Sequence, residues 1–192
     1  MARAPQKRTL ETRARLMQAA EHIIADQGYA ALRVEEVVLR AGTAKGTFFA
    51  HFKDKDALME LIVGARLANI LDEMAECRAP ATVAEFAAAL MPLCNFMTCE
   101  RYVFDLILRY SGAAAIEEIG PIADTFGCQL EVFTAWLDKS SFRPDLSSEL
   151  SAEGIQAFMI QAMAAKFCAL HGAMSVEERL VIYLQAWLLP KR

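Results

Sequence analysis

Lys45 and Thr47 stand on one side of a short predicted helix, and Phe48 and Phe52, four residues apart, stand on the other. An ammonium and a hydroxyl held outward by buried aromatic rings are groups that meet phosphates and base edges. The stretch that positions them, Val34 to Leu58, reads VEEVVLRAGTAKGTFFAHFKDKDAL. Its first part predicts a helix with Val34, Val37 and Val38 facing one way and Glu35, Glu36 and Arg40 facing out. Ala41-Gly42 breaks that helix, because glycine accepts the left-handed backbone needed to re-enter a helix within about three or four residues. Thr43 is the expected N-cap of the second helix. Together these make a helix-turn-helix with a small, partly basic outer face.

Charge separates this stretch from the rest of the chain. The whole 192-residue sequence is acidic, at −4 with pI about 5.5. Residues 1–55, however, hold ten Lys/Arg against six Asp/Glu, a net +4, which leaves −8 on the remaining 137. A cationic front module can meet phosphates that an acidic body would repel.

Other chemistries lack their residues. The three histidines, His22, His51 and His171, fall in different predicted elements, and there is no nucleophile elbow, glycine-rich phosphate loop or cluster of carboxylates on one face. The five cysteines, Cys77, Cys94, Cys99, Cys128 and Cys168, contain no CxxC and no histidine at metal-like spacing, so neither a disulfide framework nor a metal site is expected. No cofactor and no enzymatic activity are expected. The composition is 55% hydrophobic with mean hydropathy +0.24, yet no run reaches the ~20 apolar residues of a membrane span. Met1 to Glu11 lacks the apolar stretch of a secretory signal, so a soluble cytoplasmic chain is expected.

In chain order, residues 1–8 read as an arm without periodicity, followed by a first helix from about Thr9 to Gln27 ended by Gly28. Asp54 is the expected N-cap of a long fourth helix to about Cys77. Thr82 and Glu85 predict a capping box for a fifth helix that Pro92 should kink. A sixth covers Glu100 to Tyr110, with Arg101, Asp105 and Arg109 in an exposed i, i+4 ladder. A seventh, started or interrupted by Gly120-Pro121, runs to about Lys139, and Ser140 to Ser148 reads as a loop. The last two, about Ser147 to Leu170 and Ser175 to Leu189, suit an antiparallel pair across a two-fold axis, with Ser175 and Glu178 as a second capping box.

Gly28-Tyr29, Val34-x-x-Val37, Ala41-Gly42, Lys45-Gly46-Thr47, His51-Phe52-Lys53 and Lys55-Asp56-Ala57-Leu58 agree in type and spacing with one family. Over roughly its first sixty residues the chain resembles the DNA-binding domain of the tetracycline-repressor-like (TetR) family of transcriptional regulators. The resemblance implies an all-α fold of about nine helices, with a three-helix helix-turn-helix DNA-binding domain (residues 1–53) and a larger helical ligand-binding and dimerisation domain (residues 54–192). It implies a recognition helix from Ala44 to His51. DNA contact would come from Ala44, Lys45, Thr47, Phe49 and His51, close backbone approach at Gly46, and phosphate contacts from Arg33, Lys53 and Lys55. Two positions depart from the family: Phe49 stands where tyrosine is usual, and Ala44 where serine or threonine is usual.

For the body the resemblance implies an inducer pocket. Its candidate lining is Leu67, Leu71, Phe86, Leu90, Phe96, Met97, Phe104, Phe126, Leu130, Phe133, Met159 and Met163, with Asn95, Gln129 and Gln156 for polar selectivity. The phenylalanines and methionines favour an apolar or aromatic effector, or a cationic one. The expected partners are a double-stranded DNA operator, a small-molecule effector and a second copy joined through residues 147–189. Effector binding would move the fourth helix and release a pseudo-palindromic operator. The alternative is a small-molecule-binding or scaffold dimer with vestigial DNA binding.

Overall fold

In the computed structural model, which describes residues 3–111, 119–168 and 173–189, every hydrophobic repeat becomes a helix. The elements are α1 (Arg3–Gln27), α2 (Val34–Arg40), α3 (Lys45–His51), α4 (Lys55–Glu76), α5 (Val83–Met97), α6 (Arg101–Tyr110), α7 (Pro121–Leu137), α8 (Ser148–Lys166) and α9 (Val176–Leu188). There are nine helices and no strand among the described residues, as the sequence predicts. No helix among them is long and apolar enough to cross a membrane.

The first helix corrects the expected arm: α1 begins at Arg3 rather than near Thr9. Pro5 falls in its first turn, where a missing N–H costs nothing, and Lys7 reaches Glu11 one turn on at 3.9 Å. α1 buries Leu16, Ala19, Ala20 and Ile23 and stops at Gly28, whose φ of +87° suits glycine and whose N–H donates to the Ile24 carbonyl at 2.8 Å.

α4 is the axis on which module and body meet. The Asp54 carboxylate accepts from the Ala57 N–H at 2.8 Å and starts it. Leu58, Met59, Val63 and Leu67 then carry one continuous core upward from the module. At Gly64 a Cβ would lie 2.7 Å from Pro121 Cβ, so α7 crosses α4 backbone to backbone. Pro121 is the first residue of α7, where proline fits a helix best.

Side-chain caps set several other boundaries. Thr82 accepts from the Glu85 N–H at 3.1 Å, but the Glu85 carboxylate takes the Ala81 N–H instead of the Thr82 one, so only half of that capping box forms. α5 continues through Pro92 to Met97. The Ser175–Glu178 box closes in both directions, at 3.2 and 2.9 Å. Trp187 packs on Gly154 and donates to the Ser151 carbonyl, while Phe158 stacks near Tyr183, which makes α8 and α9 antiparallel. Residues 169–172 between α8 and α9, and residues 112–118 before α7, lie outside the described residues.

The expected ladder on α6 forms only in part. Arg101 meets Asp105 at 3.5 Å, but Arg109 leaves the ladder for Asp56 at the start of α4, at 2.6 Å. A carboxylate on a neighbouring helix won over one on the same helix.

Candidate nucleic-acid interface

The turn between α2 and α3 is fixed by backbone bonds. Gly42 donates to Leu39 O at 3.2 Å and Thr43 to Val38 O at 2.9 Å, the paired bonds that close a helix on a left-handed residue. Gly42 has φ +62° with open space around it, so conformation rather than crowding demands glycine there. Thr43 does not cap α3. The N-cap is Ala44, whose carbonyl accepts from the Thr47 N–H at 2.9 Å, and the Thr43 hydroxyl is buried without a partner among the described residues. Since Ala44 brings no side-chain oxygen, α3 starts uncapped and leans on packing.

That packing is aromatic. Phe48 is fully buried, with its ring centroid 5.4 Å from Phe49 and 5.3 Å from Phe52. Arg13 of α1 fastens the other end of the helix. Its guanidinium lies 4.7 Å from the Phe52 ring centroid and donates to the His51 carbonyl at 3.1 Å. Sequence reasoning missed Arg13, because nothing local links it to a helix 38 positions away. Ala44, Lys45, Gly46 and Lys53 are left exposed, Phe49 is 49% exposed, and Thr47 and His51 are half-buried at the edge. A Cβ at Gly46 would meet nothing within 4 Å, so that backbone is open to close approach.

Lys45, Arg33 and Lys55 have internal partners. The Lys45 ammonium sits 2.6 Å from Glu35 of α2, which holds the Glu35 carboxyl below its ordinary range. Arg33 is exposed, and its guanidinium turns back to the Ala30 and Leu32 carbonyls at 2.8 and 3.0 Å. Lys55 corrects the expectation of an outward reach: its nitrogen lies 4.2 Å from the centroid of the Tyr102 ring on α6. Burial lowers its pKa. In the first turn of α4 the ammonium is disfavoured by the helix dipole, and the face of a phenol ring is its compensation.

Tyr102 belongs to a seam between module and body. Its hydroxyl donates to Asp56 Oδ1 at 2.8 Å, and Arg109 donates to Asp56 Oδ2 at 2.6 Å. Burial, then the Asp56 bond, pushes the Tyr102 phenol well above its ordinary value. Glu100, just before α6, reaches the turn after α1 and accepts from the Tyr29 and Ala30 N–H groups at 2.6 and 2.9 Å. A Cβ at Gly28 would meet Glu100 Oε1 at 2.6 Å, so glycine also makes room for this clamp. The Tyr29 ring stands edge-on to Phe96 of α5 at 6.1 Å.

In the body, Leu67, Leu71, Phe86, Leu90, Met97, Phe104, Phe133, Met159 and Met163 are buried in the common core, and Phe96 packs at its edge. Phe126 and Leu130 instead border grooves between α7 and α8. Asn95 is exposed, whereas Gln129 is buried and hydrogen-bonded to Gln156. Among the described residues, no three His, Cys, Asp or Glu side chains gather as metal ligands would.

An all-helical chain whose second and third helices form a helix-turn-helix defines a class of protein, and comparison with known proteins narrows it. Residues 16–62 match the family described as bacterial regulatory proteins, tetR family. That stretch runs from within α1 into α4 and holds the whole helix-turn-helix, so it is over this part that the chain is similar to that family of regulators. It is 29% identical over 127 residues to YvdT of Bacillus subtilis, an uncharacterized HTH-type transcriptional regulator, the match covering 65% of this chain and 62% of YvdT. A second B. subtilis regulator of that description, YerO, is 31% identical over 72 residues, or 34% of this chain and 25% of YerO. The chain therefore matches less than two thirds of the length of these relatives.

The fold extends over the whole body. FadR of Thermus thermophilus, a TetR-family transcriptional repressor solved with lauroyl-CoA, superposes with TM-score 0.64 at 17% identity, covering 94% of this chain and 97% of FadR. SmeT, the repressor of a Stenotrophomonas maltophilia multidrug efflux pump, gives 0.58 at 17% identity over 92% of this chain and 90% of SmeT.

Proposed function

We propose that this chain is a ligand-responsive transcriptional repressor of the cytoplasm. It binds a pseudo-palindromic double-stranded DNA operator as a homodimer and releases it when an apolar or aromatic small molecule occupies the body. Residues 1–53 are the DNA-binding part and residues 54–192 the effector-binding and dimerisation part. The observation that carries this reading is the split of α3, with Phe48 and Phe52 buried behind it and Ala44, Lys45, Gly46 and Phe49 in front. Thr47 and His51 flank that face, and Arg33 and Lys53 extend it toward neighbouring phosphates. Lys45 exchanges Glu35 for a phosphate on binding. Lys55 adds long-range charge from its place on Tyr102.

The outer side of the α8–α9 pair supports self-association through residues 147–189. Ile182 is 50% exposed, Ala157 and Ala186 are exposed, and Phe158, Tyr183 and Trp187 are half-covered, an apolar face that a second copy would bury. Two copies would set their α3 helices about one DNA turn apart, ~34–36 Å. The seam at Asp56, Glu100 and Tyr102 supports transmission, because any shift of α6 pulls on both the start of α4 and the turn after α1. An effector need only bind the two arrangements with different affinity.

Selection of bound duplexes from a random DNA pool tests the reading. Two inverted half-sites with centres about 10 bp apart are expected. A single half-site, or no enrichment at low salt, contradicts it. The occupation of Lys45 by Glu35 favours a second reading, a ligand-binding dimer with vestigial DNA contact. Alanine at both Lys45 and Lys55 separates the two: lost operator binding with intact effector binding supports the regulator.

A further inference from the structure

α1 outruns the module it belongs to. One end is tied to the body, since Glu100 accepts from the Tyr29 and Ala30 N–H groups just after the helix stops. Farther back, α1 meets α3 at Arg13, which lies over Phe52 and donates to the His51 carbonyl. The helix nonetheless reaches back to Arg3, roughly 15 Å beyond that contact at ~1.5 Å per residue. Leu16 is its first buried residue among those described, and every residue from Lys7 to Arg15 is exposed or half-buried. Because the body holds the opposite end, these turns project past α3 and away from the acidic body. A helical stretch with no buried face has no partner within its own chain.

This overhang is basic. Lys7, Arg8 and Arg15 are exposed there against one acid, Glu11. Lys7 lies 3.9 Å from Glu11, but the side chains are 80% and 61% exposed, and such a pair holds little in water. Arg13, Arg33, Arg40, Lys45 and Lys55 all have internal partners. Arg8 and Arg15 form no ion pair among the described residues. Seven apart, they share one face of α1 and stand about 10 Å apart along it. Thr12 lies between them with its hydroxyl turned back to the Arg8 carbonyl at 2.9 Å, so the two guanidiniums are the polar reach of that stripe.

Resting on the reading that α3 meets duplex DNA, we infer that the overhang of α1 is a second DNA contact, with Arg8 and Arg15 on phosphates that flank the half-site under α3. Guanidinium on phosphate carries no sequence information, so this contact lengthens the footprint and adds affinity without adding base preference.

Two duplexes carrying the selected operator test this with the full-length protein. One ends at the half-sites, and the other has about six further base pairs on each side, roughly 20 Å at ~3.4 Å each and so longer than the overhang. Wild type is expected to bind the longer duplex about tenfold more tightly at low salt, with a salt slope about 3–4 units steeper, as two arginines in each of two copies would make it. Arg8→Gln combined with Arg15→Gln is expected to remove that advantage and leave binding of the shorter duplex unchanged. Both side chains are exposed, so the thermal melt of the double variant should match wild type. Exchanging A·T for G·C in the flanks should leave wild-type affinity unchanged. Equal wild-type affinity for the two lengths, a length advantage that survives the double variant, or a tenfold dependence on flank sequence would overturn the inference. Lys45→Ala is expected to weaken both duplexes alike, which separates failure of the overhang from failure of α3, whereas wild type that binds neither duplex sinks both.

Discussion

On α3 the groups that meet a partner stand outside and their support stands behind. Between α7 and α8 the arrangement is inverted, with the Gln129 and Gln156 amides joined inside and Phe126 and Leu130 toward the surface grooves. The first arrangement needs only one short helix with aromatics on one side, fastened by Arg13 at its end. The second needs two helices, α7 and α8, to meet before Gln129 and Gln156 touch. A face that carries charge can be laid down by local periodicity, while a buried amide pair depends on tertiary packing.

The sharpest way to break the contrast is to remove the aromatic support. Phe48→Ala is expected to cost about 3–5 kcal/mol in urea unfolding, as truncation of a fully buried phenylalanine does. A cost under ~1 kcal/mol would mean that α3 is not held from behind. Ile182→Glu places a carboxylate on the proposed dimer face. A monomer in sedimentation, and operator affinity lower by about a hundredfold or more, are expected from the lost second half-site. Unchanged mass and affinity would move the interface elsewhere.

Glu100→Ala tests the seam that joins the two regions. It strands the Tyr29 and Ala30 N–H groups, and because Ala30 is exposed the expected cost is only about 1 kcal/mol. The informative readout is operator affinity, which should fall together with its response to effector. Glu35→Gln sharpens the charge side: stability is expected to be unchanged, since the Lys45 pair is exposed, while DNA affinity rises a few-fold.

The smallest effect is in pH. The Tyr102 phenol is raised by burial and then by its bond to Asp56. Unfolded tyrosine loses its proton near pH ~10, and the folded one holds it longer. The stability this contributes is fully present below pH ~10 and is lost as pH rises further. Wild type should therefore lose stability above pH ~10 faster than Tyr102→Phe, as seen by thermal melts across that range.

The sequence carried the parts of the fold that are local. Asp54, Thr82 and Ser175 were legible as caps, and the helical stripes found all nine helices among the described residues. The start of α1 was not legible, because Arg3 to Arg8 has helix-forming residues but no apolar period. Ala44 displaced Thr43 as the N-cap because the first helical carbonyl, rather than a favourable side chain, defines that position. At the candidate interface, spacing separated the outer face of α3 from its anchor. The partners of Lys45, Lys55, Glu100 and Arg109 were invisible, since each lies on another helix or turn. In the body, nearly every expected pocket residue is core, because a stripe of phenylalanine and methionine has the same spacing whether or not space is left beside it.

Operator affinity measured against salt probes the α3 face most directly. With the selected duplex, log affinity is expected to fall linearly with log salt at about −0.9 per phosphate neutralised, and Lys45→Ala and Lys53→Ala should each flatten that slope by about one unit. Binding that is indifferent to salt, or a slope that both alanine variants leave unchanged, would contradict contact of this face with the DNA backbone.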